Sequence, residues 1–539
     1  MAPTIYKRLL TVAATYPLAL TFKYASKILP KYVLTEEQCF SADGCTPEVA
    51  ARRRNALMSL SEKWMKKYPK CREFSGELKK MISDLRFTSG RCFPAFNEVV
   101  NSYLDPSMAL DRTEGVDVVD IDGNSSMDIS GSYGVNVCGY EQYKVFIENG
   151  WSHAKKAGLF LGSLDQVVLD NISMLRKISG HDEVSFHMSG TEAVMAAVRV
   201  ARFNTKKPLV VTFGGAYHGW WDGVMQGAGN DRFAGDCLIL KDQSPESLAL
   251  LQLRAAEVAA VIVNPINGFA WKNAGTAGMA TAPASKVTAG PDSIEKFRVW
   301  LCQLRETCTR SQIPLIFDET WAFQLGPGGA QELYGVEADL LVLGKGLGGG
   351  HACGAVLGPS RLMERRDPER PMRVNFVVGT FKGNPVVMGA MNAVLKWVTT
   401  TEAATTFNGL KDRVAKWVDT CNAALSKQDL PISVAAFKST WCIKYHQPSV
   451  YQFLFQYYLR DAGMVMAWVG TSKMLFNLEF GDADLKRLTE ILITAATAFK
   501  ADGWWHEGAR PLKVPQLLPL VVGPTLSYHC KTLRSWLGL

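Results

Sequence analysis

Four short segments carry side chains whose types and spacing could do chemistry. Lys345 sits in LVLGKGLGGG, directly after an apolar run and among Gly344, Gly346 and Gly348 to Gly350. Lysine is almost never buried without a partner, and the glycines allow backbone and ligand to approach closely. Such an amine can form an imine with an aldehyde cofactor and then carry a proton; taken alone it also reads as a lysine snorkelling from a strand end. Asp318 closes the apolar run PLIF in PLIFDET. A carboxylate buried there is costly unless paired. A cationic ring nitrogen would pair it, and the carboxylate would keep that ring protonated as an electron sink; the plainer reading is an N-cap or loop acid. Ser189-Gly190-Thr191-Glu192 precedes AVMAAVRVAR. It reads as an N-cap with first-turn acidity, and the same geometry offers N–H groups and hydroxyls to a phosphate. Tyr217-His218-Gly219-Trp220-Trp221 follows LVVTF; its aromatics could stack on a planar ring or simply fill a core. Together the four are far more specific than any one of them alone.

These segments need strand ends to position them. LVVTF (209–213), AAVIV (259–263), PLIF (314–317) and DLLVLG (339–344) are short apolar runs separated by helical patterns such as 192–204. That alternation predicts an α/β domain with buried parallel strands, which builds sites at the carboxyl ends of those strands. Around it, 46–85 is helical and polar, with Lys63, Lys66 and Lys67 on a solvated face. VDVVDIDGNSSMDIS (116–130) predicts a hairpin turning at Asp122-Gly123. MLFNLEF (474–480) predicts a strand in a smaller α+β lobe. The expected division is a basic apolar segment 1–35, a helical extension 36–85, a first part of a small domain 86–150, a large domain 151–395, the rest of the small domain 396–510, and an apolar basic tail 511–539.

The chain has 539 residues, 47% of them hydrophobic and 20% charged, an ordinary globular composition. The net charge of +8 lies at the termini: Lys7, Arg8, Lys23, Lys27 and Lys31 stand in 1–35 and Lys513, Lys531 and Arg534 in the tail, both without an acid. The body is balanced, so nucleic-acid binding is excluded as a reading, and the basic apolar ends suit an anionic membrane surface. The uncharged run Leu9 to Phe22 has 14 residues, short of the roughly 20 that a spanning helix needs. An interfacial helix kinked at Pro17, a cleaved targeting peptide and a plain packed helix all remain open for 1–35. The 12 cysteines are scattered with no C-x-x-C pair, which points to reduced thiols and a cytoplasmic or organellar compartment.

With these motifs in view, the chain resembles the class-III aminotransferases. The resemblance rests on SFHMSGTEAVMAAVRVAR, FGGAYHGWWDG, IFDE, GKGLGGG and GTFKGNP (379–385), and runs from about residue 86 to 505. It is to the glutamate-1-semialdehyde aminomutase-like branch, and in SGHDEVSFHMSGTEAV and AYHGWWDG to aminotransferases associated with polyketide and non-ribosomal peptide assembly lines. The resemblance implies the PLP-transferase fold type I, with pyridoxal 5′-phosphate (PLP) held covalently by Lys345. It implies that Asp318 pairs with the pyridine nitrogen and that Ser189, Gly190 and Thr191 bind the phosphate. Tyr217 would stack on the ring with His218 beside it, and Thr380 would reach the phosphate of the partner subunit in a homodimer. The implied activity is ping-pong transfer of an amino group from a small-molecule donor to a keto or aldehyde acceptor, including β-keto acyl thioesters. No metal is implied.

The chain departs from the family pattern in places. D-E-V-x-T-G-F-R becomes Asp318-Glu319-Thr320-Trp321-Ala322-Phe323-Gln324, E-P-V becomes Asn264-Pro265-Ile266, and Ser472 or Lys473 replaces a substrate-holding glutamate of the aminomutases. The last change argues for an aminotransferase over a 2,1-aminomutase. Arg91 and Arg373 are candidate substrate clamps by position alone. A non-catalytic, membrane-docked relative and a decarboxylase or racemase on the same cofactor are the remaining alternatives.

Overall fold

The computed structural model describes residues 2–15, 34–89, 96–158, 160–225, 235–268, 291–447, 449–467 and 474–505. Its described residues form two compact units: 134–268 with 291–409 and the N-terminal helix, and 34–133 with 410–505. The boundaries fall near 133 and 409 rather than at 150 and 395. One reason is packing: the helix over 140–157 lies against the helix over 385–398 within the first unit.

The first unit is built on seven strands: β1 Glu183–His187, β2 Leu209–Phe213, β3 Cys237–Leu240, β4 Val258–Val263, β5 Leu315–Asp318, β6 Leu340–Gly344 and β7 Gly354–Gly358. Their order in the sheet is β1-β7-β6-β5-β4-β2-β3. The run β6-β5-β4-β2-β3 is parallel, while β7 is antiparallel to both β6 and β1. β2, β4, β5 and β7 are buried at every residue, which is why they read as continuous apolar runs instead of alternating ones.

Five helices of this unit matter here: α1 Ala2–Ala14, α2 Tyr140–Ala157, α3 Gly190–Thr205, α4 Pro245–Leu253 and α5 Pro385–Val398. Ala193, Ala196, Ala197 and Ala201 of α3 are buried with Val194, Val198 and Val200 against the sheet; the small side chains bring the helix axis close to it. α2 and α5 cross at glycines. A Cβ at Gly150 would stand 2.6 Å from the Val386 carbonyl oxygen, and one at Gly389 2.7 Å from His153 Cβ.

α1 packs on α4. Lys241 N donates to the Ala14 carbonyl (2.8 Å) and Lys241 Nζ to that of Ala13 (2.6 Å), and Lys7 pairs with Glu257. The described part of the N-terminal segment is thus a packed helix. Its other face presents Tyr6, Leu9 and Val12 outward, the last 76% exposed. Pro17, Lys23, Lys27, Lys31 and the tail 511–539 lie outside the described residues.

In the second unit the expected hairpin pairs Asp117–Asp120 with Ser125–Asp128. Its turn also serves a helix: Asp122 accepts from Lys70 N and Cys71 N, both at 2.9 Å, and caps Pro69–Met81. Leu110–Glu114 and Met464–Val465 complete this four-stranded sheet. Of the strand expected over 474–480 only Met474–Leu475 pairs. Asn477 Oδ1 accepts from Glu479 N (3.0 Å), and that Asx turn ends the extended run. The lysine face of 47–67 is partly docked: Lys63 Nζ pairs with Asp461 (2.5 Å) and Lys67 Nζ donates to the Asp461 carbonyl (3.2 Å). The ten cysteines among the described residues are free thiols.

Candidate active site

All four sequence segments close on one another at the glycines between them. A Cβ at Gly190 would lie 2.8 Å from Thr320 Cγ2, one at Gly344 3.5 Å from Gly190 Cα and from Thr320 Cγ2, and one at Gly219 2.6 Å from Thr191 Oγ1. The start of α3, the Tyr217-His218 turn, the end of β5 and the end of β6 therefore meet at the carboxyl edge of the sheet. At Gly190 and Gly219 no side chain larger than hydrogen fits without displacement.

Lys345 begins the 3-10 turn Lys345–Gly348 directly after β6, with φ at +52°. A lysine held in the left-handed region is a strained residue that its surroundings must enforce. Its Nζ lies 4.8 Å from the centroid of the Trp321 ring. Burial disfavours the charged amine and brings its pKa from 10.5 down to about 8, with the Asp318 carboxylate acting in the opposite direction.

Asp318, the last residue of β5, is 1% exposed. Its Oδ2 lies 2.8 Å from His218 Nδ1, and its Oδ1 accepts from Thr320 N at 3.2 Å. His218 Nε2 is buried with no hydrogen-bond partner among the described residues. The Nδ1 edge of the ring is thus committed to the carboxylate, and the Nε2 edge faces away from it. Tyr217 beside it is half exposed, and both burial and the nearby Asp318 charge raise its hydroxyl pKa.

Ser189 is the N-cap of α3, its Oγ accepting from Glu192 N at 3.1 Å. Glu192 Oε2 accepts from Met188 N at 3.0 Å. Helix α3 runs 16 residues, so its positive end and first-turn N–H groups are suited to a phosphate. Thr380 is exposed. A Cβ on its neighbour Gly379 would lie 3.0 Å from Glu192 Oε1, which places that segment beside the same helix turn.

Sequence reasoning singled out neither Trp321 nor Glu319 for a role. Glu319 is buried and accepts from Ala330 N (2.8 Å) and Gln331 N (3.1 Å), folding the 326–331 loop under β5. It borders an apolar cavity of about 50 Å³ lined by Leu175, Phe323, Leu343 and Leu347. That burial raises its carboxyl pKa from 4.5 to about 7 against the two N–H donors. The only hint in the sequence was an acid directly after Asp318. Asn264 is a turn residue, its Oδ1 accepting from Ile266 N at 3.1 Å. Arg373 donates to the Phe203 carbonyl (2.7 Å) and to Asp367 (3.1 Å), a structural engagement. Arg91, Ser472 and Lys473 lie outside the described residues.

The residues fit PLP by their donor chemistry: a buried amine of lowered basicity, a sealed carboxylate for a cationic ring nitrogen, and a helix N-terminus for a phosphate, converging at one sheet edge.

The comparisons agree. The family model described as aminotransferase class-III matches residues 99–495. Glutamate-1-semialdehyde 2,1-aminomutase from Clostridium acetobutylicum is 31% identical over 327 residues, 56% of this chain and 70% of that protein. The enzyme of that name from a Hydrogenobaculum species is 29% identical over 364 residues, 64% of this chain and 79% of that protein. Among solved structures, a glutamate-1-semialdehyde aminomutase from Pseudomonas aeruginosa superposes with TM-score 0.66 at 18% identity, covering 83% of this chain and 98% of that one. An omega-transaminase from Sphaerobacter thermophilus superposes with TM-score 0.62 at 22% identity, covering 78% and 98%. Likeness at these identities establishes the fold.

Proposed function

The chain belongs to the class-III aminotransferase family and is a PLP-dependent aminotransferase of fold type I, and from that premise we propose the roles of its residues. Lys345 Nζ holds the cofactor covalently, Asp318 pairs with the ring nitrogen, and Ser189, Gly190 and Thr191 receive the phosphate. Tyr217 covers one ring face, and His218 fixes the orientation of Asp318. The observation that carries this reading is the buried amine of Lys345, brought to a pKa of about 8 in a site that also holds the sealed Asp318 carboxylate.

When bound, PLP supplies an aldehyde for the substrate's amino group and a protonated ring that stabilises negative charge on the adjacent carbon. Lys345 does the proton work. Near neutral pH a useful fraction of its amine is unprotonated, so Nζ can take the proton from the substrate Cα and return it as a general acid. The Trp321 ring lies 4.8 Å from Nζ and borders the space in which that amine moves. Asp318, held by its 2.8 Å contact with His218, would face the ring nitrogen's proton.

The substrates are a small amino donor and a keto or aldehyde acceptor. The relatives' names favour one second reading, a 2,1-aminomutase that returns the amino group to the same carbon skeleton. A panel of donors and acceptors, followed through the cofactor spectrum in each half-reaction, tests transamination. Glutamate-1-semialdehyde converted to 5-aminolevulinate without an external donor would favour the mutase.

A homodimer is part of this reading. Met372, Val374, Phe376 and Val378 alternate along an extended segment with their side chains exposed, Met372 by 95% and Phe376 by 75%, and Thr380 and Phe381 follow directly. Such a row is what a partner subunit would cover. Peripheral membrane contact through the basic N-terminal segment is supported by the outward Tyr6, Leu9 and Val12 of α1. No described helix is long and apolar enough to cross a membrane.

A further inference from the structure

The Trp321 ring stands over the amine that does the proton work, its centroid 4.8 Å from Lys345 Nζ, and it is built firmly into that place. Its backbone is tied on both sides. Thr320 N donates to Asp318 Oδ1 at 3.2 Å, Ala322 N to the Glu319 carbonyl at 2.9 Å, and Glu319 N to the carbonyl of Val342 on β6 at 2.8 Å. The indole lies against Gly134, which holds a left-handed φ of 86°. A Cβ there would stand 3.2 Å from Trp321 Cδ2 and 3.3 Å from Cε3, so the ring rests on bare backbone.

The distance to Nζ fixes what the ring can touch. To give up its proton, the reacting carbon of a substrate must approach Nζ to about 3 Å. A group attached to that carbon on the Trp321 side then comes within reach of the ring, where contacts form at about 3.5–4.0 Å. An indole face carries the negative side of its quadrupole and offers an anion no hydrogen bond. An alkyl or aryl group gains dispersion and stacking there, whereas a carboxylate loses water and receives nothing in return. Arg373, a candidate by position for holding a carboxylate, is engaged by the Phe203 carbonyl and Asp367.

Resting on the role of Lys345 given above, we propose that Trp321 determines specificity in this active site. Its ring receives one substituent of the reacting carbon, and it selects amines and carbonyl acceptors that carry an alkyl or aryl group there over those that carry a carboxylate. Trp321 lies in DETWAFQ, where the chain departs from the family pattern, so the preference belongs to this chain and not to that pattern.

Racemic 1-phenylethylamine and racemic alanine test it, because they differ only in phenyl against carboxylate on the reacting carbon. Each is mixed with the full-length, PLP-loaded protein, and loss of the cofactor's absorbance band is followed through one half-reaction. Their unreactive alcohol analogues, 1-phenylethanol and lactate, are titrated calorimetrically against the same protein. The wild type should react at least about tenfold faster with the phenyl amine, and should bind 1-phenylethanol with a Kd in roughly the millimolar range, at least about tenfold tighter than lactate. Trp321→Ala should lower both phenyl values by about 10- to 100-fold and move those for alanine and lactate by less than about threefold. Trp321→Phe, which keeps an aromatic face, should stay within about fivefold of wild type.

A wild type that prefers alanine and lactate overturns the proposal, and this ranking needs no variant to fold. Equal losses for both pairs in Trp321→Ala also overturn it, since a merely structural role would produce them. The absorbance band separates the two readings. A wild type that forms the band and fails the ranking sinks the assignment of Trp321 alone; one that never forms it sinks the role of Lys345 as well.

Discussion

His218 Nδ1 and Asp318 Oδ2 stand 2.8 Å apart with both side chains sealed from solvent. The pair comes from two different strand ends, and it fixes which way the carboxylate faces. Asp318→Ala should therefore lower kcat/KM by about 10²- to 10³-fold, the scale for losing one preorganised electrostatic group. His218→Phe should lower it by about 10- to 100-fold, the scale for a hydrogen bond to a charged group. Steady-state kinetics on both variants checks the order; a larger loss for His218 would reverse the roles assigned here.

Lys345→Ala should abolish the absorbance band near roughly 420 nm expected of imine chemistry and reduce turnover by about 10³-fold or more. In the wild type the neutral amine is the nucleophile. Folding lowers its pKa from 10.5 to about 8, so PLP capture by the apo-protein should rise with pH through a midpoint near 8 and level off about a unit higher. Stopped-flow mixing across pH 6 to 10 reads this directly, and a midpoint near that of free lysine would refute it.

Glu319 is the reverse case. Burial raises its pKa from 4.5 to about 7, so over that window the folded state binds more protons than the unfolded state. Stability from this group is fully present below about 4.5 and is lost as pH rises through about 7. Glu319→Gln keeps one acceptor for Ala330 N or Gln331 N and removes the titration. The melting temperature of the variant relative to wild type should climb between pH 4.5 and 7, then stay level.

Phe376→Glu places a charge in the exposed apolar row. Light scattering should show a shift from dimer toward monomer, with activity falling in parallel. An unchanged mass would remove this row from the subunit interface.

Deleting residues 1–35 should weaken co-sedimentation with anionic vesicles, and wild-type binding should decline as salt is raised. The same deletion uncovers α4, so it should also lower the melting temperature. Vesicle binding that survives the deletion would leave α1 with a packing role alone.

Much of the site was legible because its chemistry sits on local signals. Asp318 and Lys345 stand at or next to the ends of apolar strands, and Ser189 caps a strongly helical run, so pattern and position agree. The hairpin at Asp122-Gly123 announced itself in the same way. Trp321 and Glu319 were not legible, because their roles depend on how a 3-10 turn folds back: nothing in DETWAFQ says that the ring meets a lysine amine from the next strand. The domain boundaries were misplaced for a similar reason. Gly150 and Gly389 look like ordinary helix glycines until the two helices are seen crossing on them. The short strand at Met474 ended where Asn477 made a turn that hydrophobicity alone does not report.

The reversal between β6 and β7 has a mechanical consequence. Gly344 and Gly354 face each other in the antiparallel ladder, so the segment bearing Lys345 is pinned at both ends by adjacent strands. Moving its backbone would mean breaking that ladder. Whatever travel the amine makes must come from rotation about its own side-chain bonds, and the cost of ordering its anchor is met once, when the chain folds, and not again in each catalytic cycle.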